Sequence, residues 1–371
     1  MRDPILLTPG PLTTSLATKV AMLNDWCSWD AEFNALTAAV CRRLVAIVDG
    51  GEAFVCVPMQ GSGTYAVEAA VGTLVPRDGK LLVLVNGAYG ARMAKLTGTM
   101  GRELAVLDFG ETRPVDPARV AAALALDPAI THVGIIHCET STGMLNPLEE
   151  VARVVQGAGR RLIVDAMSSF AVLPLSARSI AFDAVIASSN KALEGVPGMG
   201  FVLARKEALL AAKGRSHSLS LDLHDQFAYL QSTGRWRYTP PTHVVAALAA
   251  ALDQYEAEGG RLGRLARYES NCARLLAGLA ELGLEPFLPR ALQAPVIVTV
   301  RAPGHPNYAF QELYDRAKAS GFILYPGKLT ELETFRVGCI GAIGSAEIDG
   351  ALAAIGQALR AMFSEPQPVQ R

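Results

Sequence analysis

An aspartate and a lysine each follow an apolar run: Asp165 closes "LIVDA" (162–166), and Lys191 comes just after "DAVIAS" (183–188). A carboxylate at the end of a buried strand is costly unless paired, and its partner would be a metal, an arginine or a protonated ring nitrogen. A primary amine held in a dry pocket sheds its proton and condenses with an aldehyde. Each residue also has a plainer reading: Asp165 as a helix N-cap, and Lys191 as a side chain snorkelling to water.

Other groups with chemistry lie at neighbouring strand ends. In "PMQGSGTYAVEAA" (58–70), Gly61, Ser62, Gly63 and Thr64 sit between a strand and a helix. Free N–H groups, two glycines and two hydroxyls at a helix start make a phosphate cradle. The alternative is ordinary capping by Ser62 or Thr64, since the segment is neither a Walker motif nor a complete G-x-G-x-x-G. In "VNGAYGARM" (85–93), Tyr89 stands at a turn where a planar side chain stacks on a flat ligand or simply lies on the surface. "HCETSTGMLNP" (137–147) presents Glu139, Thr140, Ser141 and Thr142, either as donors to a ligand oxygen or as a capping loop before Pro147. Arg336, in "FRVGCIG", interrupts an apolar strand and needs an anion, either a phosphonate or carboxylate ligand or an internal salt bridge.

The elements that must position these groups follow one texture from 53 to 205. Val-, Ile- and Leu-rich runs at 53–58, 81–86, 104–109, 132–138, 162–166, 183–188 and 200–204 read as strands covered on both faces. Helix-length segments at 63–75, 90–101, 117–126 and 147–159 lie between them. The alternation predicts an α/β domain with a mostly parallel sheet flanked by helices. Beyond 205 come long helices at 241–260 and 262–283, a strand at 295–300, a helix at 308–321, short strands near "FILYPG" and "FRVGCIG", and a helix near 345–363. That order predicts a smaller α+β domain. The expected division is 16–255 for the large domain and 1–15 with 256–371 for the small one, the prolines of "LLTPGPLTT" making an extended N-terminal arm. The Pro-rich tail "SEPQPVQR" is expected to fray.

Composition narrows the function. The 371 residues carry a net charge of −1 without a basic run, which argues against nucleic acid or a membrane surface as partner. Apolar stretches are interrupted well short of the ~20 residues a membrane span needs, and no signal peptide is read at the N-terminus, so the expected location is cytoplasmic. Six scattered cysteines and six scattered histidines show no C-x-x-C or H-x-x-x-H spacing, and no metal site is expected. In combination the strand-end groups change weight. A phosphate cradle, a stacking ring, an oxygen donor, an acid for a ring nitrogen and an amine for an aldehyde are what pyridoxal 5'-phosphate requires.

At this point "LTPGPLTTS", "QGSGTYAVEA", "NGAYGARM", "ETSTGMLNP", "VDAMSSF", "SSNKALEGVPG", "YTPPTH" and "FRVGCIGAI" together resemble the class V branch of the fold-type I pyridoxal-phosphate aminotransferases, over about residues 5–363. "LTPGPLTTS", "NGAYG" and "ETSTGMLNP" tilt towards members that use 2-aminoethylphosphonate and pyruvate in phosphonate degradation; serine- or alanine-glyoxylate chemistry is the nearest alternative. A cysteine desulfurase would have a histidine over the ring and a cysteine on a mobile loop, where this chain has Tyr89 and a strand-like setting for Cys339. By position, the resemblance makes Lys191 the covalent anchor and proton carrier, Asp165 the partner of the ring nitrogen, Tyr89 the stacking ring and Thr140 a donor on the ring-hydroxyl side. Ser62, Gly63 and Thr64 would hold the phosphate with Asn190 or Ser189 close by, and Tyr238 and Thr239 would reach the phosphate of the neighbouring subunit in an obligate homodimer. Arg336 would clamp the substrate anion. Glu194 departs from the pattern, a neutral or smaller residue being expected so near the lysine.

Overall fold

The computed structural model describes residues 3–329 and 332–364; the tail at 365–371 and its expected fraying lie outside the described residues. The strands in chain order are β1 (Ile5–Leu6), β2 (Phe54–Gln60), β3 (Lys80–Val85), β4 (Glu103–Asp108), β5 (Ile130–Ile136), β6 (Cys138–Glu139), β7 (Met144–Leu145), β8 (Arg161–Asp165), β9 (Ala184–Ser188), β10 (Met199–Arg205), β11 (Ile297–Arg301), β12 (Phe322–Ile323), β13 (Tyr325–Pro326) and β14 (Thr334–Gly338). The helices are α1 (Leu16–Val20), α2 (Ala31–Ile47), α3 (Gly63–Leu74), α4 (Ala88–Thr99), α5 (Pro117–Leu126), α6 (Leu148–Gly157), α7 (Lys206–Leu210), α8 (Leu223–Thr233), α9 (Thr242–Ala257), α10 (Gly260–Glu281), α11 (Phe310–Ala319) and α12 (Ser345–Ser364).

A seven-stranded sheet in the order β2-β10-β9-β8-β5-β3-β4 carries the site. β4, β3, β5, β8 and β9 pair in parallel, and β10 runs antiparallel to both β9 and β2. Successive residues of one strand enter different cores. Leu82 and Leu84 pack with residues of α2, α5, α6 and α9, whereas Leu81, Val83 and Val85 pack with residues of α3, α4 and α8. This double covering explains why the runs lack polar alternation. The parallel strands therefore all deliver their carboxyl ends to one edge of the sheet, where α/β folds bind ligands.

A third core joins α10, α11 and α12 to β11 and β14, with Leu7 of the N-terminal arm fully buried in it. β14 lies between β11 and β13, antiparallel to both. β1 pairs in parallel with β12, and the Gly338 N–H donates to the Leu7 carbonyl (2.9 Å). These bonds hold the arm so that "TPGP" passes over the edge of the large sheet.

Candidate active site

Asp165 is the last residue of β8, and Lys191 follows β9 by three residues. Asp165 is 7% exposed and its Oδ1 accepts the Met167 N–H (2.9 Å). Burial lifts its carboxyl to about 6, against the pull of that bond and of Lys191. Lys191 Nζ donates to the Pro9 carbonyl (2.7 Å), a contact across 182 positions of chain. Burial drops the amine to about 8; Arg336, Arg92 and Lys328 push the same way, and Asp165 opposes them. The two groups feel each other's charge, yet neither makes an ion pair among the described residues. An acid and an amine are thus held near one another without being joined.

The arm closes over the lysine tightly. A Cβ on Gly10, whose φ is +118°, would lie 2.7 Å from Lys191 Cδ and Nζ. Behind the lysine, the Glu194 N–H donates to the Lys191 carbonyl (2.7 Å) and Arg264 Nη1 to the Ala192 carbonyl (2.6 Å). Glu194 does not point at the lysine. Its carboxylate accepts the Tyr268 hydroxyl (2.5 Å) and Arg267 Nη2 (2.7 Å), with Arg264 Nη1 at 3.4 Å. Its charge is therefore neutralised from α10, which resolves the departure noted in the sequence.

Ser62 is the N-cap of α3, but its side chain makes no cap bond. The hydroxyl stands beside the N–H groups of Gly63 and Thr64, which have no partner within the helix. Gly63 is required by space: a Cβ there would lie 2.3 Å from Met167 Sδ. Thr64 Oγ1 accepts Arg92 Nη1 (3.3 Å). Of the pair near the lysine, Ser189 is fully buried and donates to the Val196 (2.5 Å) and Met199 (3.1 Å) carbonyls, leaving Asn190 as the partly exposed member.

Tyr89 opens α4, and its placement depends on Glu139. That fully buried carboxylate accepts the N–H groups of Tyr89 and Gly90 (each 3.2 Å) and the Ser141 hydroxyl (2.6 Å). Glu139 is thus the cap of α4, donated by the neighbouring strand end. Thr140 Oγ1 and Ser168 Oγ lie 2.7 Å apart, and the Thr140 carbonyl accepts Arg336 Nη1 (3.0 Å). Arg336, 2% exposed at the centre of β14, also donates through Nε to the Pro326 carbonyl (3.0 Å). It makes no ion pair among the described residues, so the salt-bridge alternative is not realised.

Tyr238 and Thr239 are exposed on the loop between α8 and α9. Tyr238 lines a surface groove with Gly61 and Tyr65. Cys339 is fully buried at the end of β14, its N–H bonded to the Val296 carbonyl (2.9 Å), which is no setting for a mobile nucleophile. Three groups at the site escaped the sequence reading: the Pro9 carbonyl, Arg92 and Lys328. Only Arg92 carries a local signal, one turn after Tyr89 on the same helix face.

A seven-stranded, largely parallel sheet with a lysine and an acid at adjacent strand ends is the pattern of an aminotransferase. The family model for class-V aminotransferases matches residues 51–319, and the chain belongs to that family. It is 61% identical, over 97% of its length and 98% of the relative's, to the 2-aminoethylphosphonate–pyruvate transaminase of Pseudomonas putida GB-1. The enzyme of the same name from Pseudomonas aeruginosa PAO1 is also 61% identical, over 97% of each chain. Among solved structures, the alanine–glyoxylate aminotransferase of a Nostoc species superposes with a TM-score of 0.89 at 24% identity, covering 97% of this chain and 96% of that one; it shares the fold. No helix among the described residues is long and apolar enough to cross a membrane.

Proposed function

We propose that this protein transfers the amino group of 2-aminoethylphosphonate to pyruvate, giving phosphonoacetaldehyde and L-alanine, with pyridoxal 5'-phosphate as cofactor. The observation that carries the reading is Arg336: a buried guanidinium, close enough to Lys191 to depress its pKa, with no carboxylate partner among the described residues. The relatives named above support the choice of donor and acceptor.

The residues fit the cofactor on their own terms. Gly63 leaves a cradle that a Cβ could not share with Met167, beside an unused Ser62 hydroxyl. Asp165 is a desolvated carboxylate with no ion pair among the described residues, suited to a protonated ring nitrogen. When bound, the cofactor supplies an electron-withdrawing ring that stabilises negative charge on the substrate carbon.

In this reading Ser62, Gly63, Thr64 and Asn190 would hold the phosphate, and Tyr89 and Thr140 would hold the ring. Asp165 keeps the ring nitrogen protonated. Lys191 would anchor the aldehyde, and its Nζ, once free, is the base placed to take the proton from C1 of the donor and to carry it. Its pKa of about 8 leaves a useful fraction of neutral amine near pH 7. Arg336 binds the phosphonate first and the pyruvate carboxylate second. Residues 16–255 carry the cofactor groups, and 1–15 with 256–371 carry Arg336 and the covering arm. Tyr238 and Thr239 of the partner subunit complete the phosphate site, which makes the working unit a homodimer. The six free thiols suit a reducing, cytoplasmic setting.

The test is a pair of half-reactions. Aminoethylphosphonate alone should bleach the visible band of the purified holoenzyme, and pyruvate should restore it with formation of alanine. Serine or alanine bleaching the band faster than aminoethylphosphonate would transfer the assignment to another member of the family.

A further inference from the structure

Arg336 is not the sole cation acting on Tyr89. Lys328 Nζ lies 4.5 Å from the Tyr89 ring centroid, and the Arg92 guanidinium lies 4.9 Å from the same centroid. Arg336 acts on this tyrosine too, its charge lowering the phenol's pKa against the effect of burial. None of the three has an ion pair among the described residues. The carboxylate that acts on both Lys328 and Arg336 is Glu139, whose oxygens are engaged in capping α4. Asp108 lines the same cleft as Lys328, and its Oδ1 accepts the Gly110 N–H (2.8 Å). Two positive charges therefore lie against the Tyr89 ring and a third acts on its phenol, and their mutual repulsion is left for a ligand to relieve.

A carboxylate supplies one negative charge and has its natural fork partner in Arg336. A phosphonate, like a phosphate monoester, approaches two at neutral pH and has a third oxygen to satisfy. Arg92 is already tied to Thr64 at the phosphate cradle (3.3 Å). Lys328 is half-buried, has no hydrogen bond to a described residue, and follows β13, whose Pro326 carbonyl accepts Arg336 Nε.

We propose that Lys328 is the residue that selects a phosphonate donor over a carboxylate: Arg336 serves both substrates, and Lys328 is used by the dianion alone. The inference rests on the donor named above. Its test is Lys328→Gln, with each half-reaction measured separately. The kcat/KM for aminoethylphosphonate should fall about 10- to 100-fold, the range for losing one charge-assisted bond, chiefly through KM. The half-reaction with pyruvate should stay within about threefold of the wild type, which also shows that the variant folds. Lys328→Arg should recover most of the donor efficiency. Equal loss in both half-reactions, or loss in neither, overturns the inference while leaving the function intact. Failure of the wild-type protein to react with aminoethylphosphonate at all would overturn both.

Discussion

Replacing Asp165 by asparagine should stabilise the cofactor-free protein at pH 7 while removing its activity. The carboxyl is raised from 3.8 to about 6, chiefly by burial. Two units at about 1.36 kcal/mol each place the cost of keeping it ionised near 3 kcal/mol at pH 7. The sign follows from the direction of the shift. Below its unfolded pKa the group is protonated in both states and nothing is lost; as pH rises from about 4 to about 6 the unfolded chain ionises while the folded protein still holds the proton, so stability falls across that window and levels off above it. At about pH 4.5 the cost has shrunk to about 1 kcal/mol. An asparagine oxygen still accepts the Met167 N–H, so the variant keeps the local bond and drops the charge. Urea unfolding of the cofactor-free wild type and variant at both pH values reads the difference directly. The midpoint of Asp165→Asn should lie above that of the wild type at pH 7 and approach it at the lower pH. A variant less stable than the wild type at pH 7 would refute the claim that this carboxylate waits, unpaired, for a cationic ring.

Glu194→Ala should cost about 3 kcal/mol, the low end for breaking a buried ion pair, because Glu258 still holds Arg264 and Arg267 when Glu194 is gone. The companion Tyr268→Phe should add less than its separate effect, measured as a double-mutant cycle by urea unfolding. Gly63→Ala should weaken cofactor binding at least about tenfold in a spectroscopic titration, since its Cβ meets Met167; trimming Met167 to alanine in the same chain should restore part of the loss. For the shared site, hybrids of a Lys191→Ala protomer with a Tyr238→Ala/Thr239→Ala protomer should be active, because one of the two sites then carries no lesion. Inactive hybrids would place Tyr238 and Thr239 in their own subunit's site.

Much of this fold was legible because period and covering determine it. The apolar runs at 81–86, 104–109 and 183–188 appear as β3, β4 and β9 within a residue, and "PARVAAALAL" is α5 in full. β10 matches 200–204 in place, but its antiparallel direction depends on the chain's route between strands, to which local composition is blind. α2 went unread despite a usable signal: Asp30 caps it by accepting the Glu32 N–H (2.9 Å), and Phe33, Thr37, Val40 and Leu44 make its buried stripe. Strand-end residues such as Asp165 and Lys191 announce themselves because a charged group after an apolar run is conspicuous. Lys328 and the Pro9 carbonyl do not: each reaches the site from a loop of the arm or small sheet, and neither has a periodic neighbour to mark it. Glu194 looked misplaced because its neutralising arginines, Arg264 and Arg267, lie far along the chain on α10.

Lys191 is the amine on which the chemistry depends. Borohydride reduction of the holoenzyme, followed by digestion and mass spectrometry, should fix the mass of a reduced pyridoxyl phosphate on the peptide containing Lys191. Modification of a different lysine, with the Lys191 peptide unaltered, would contradict it.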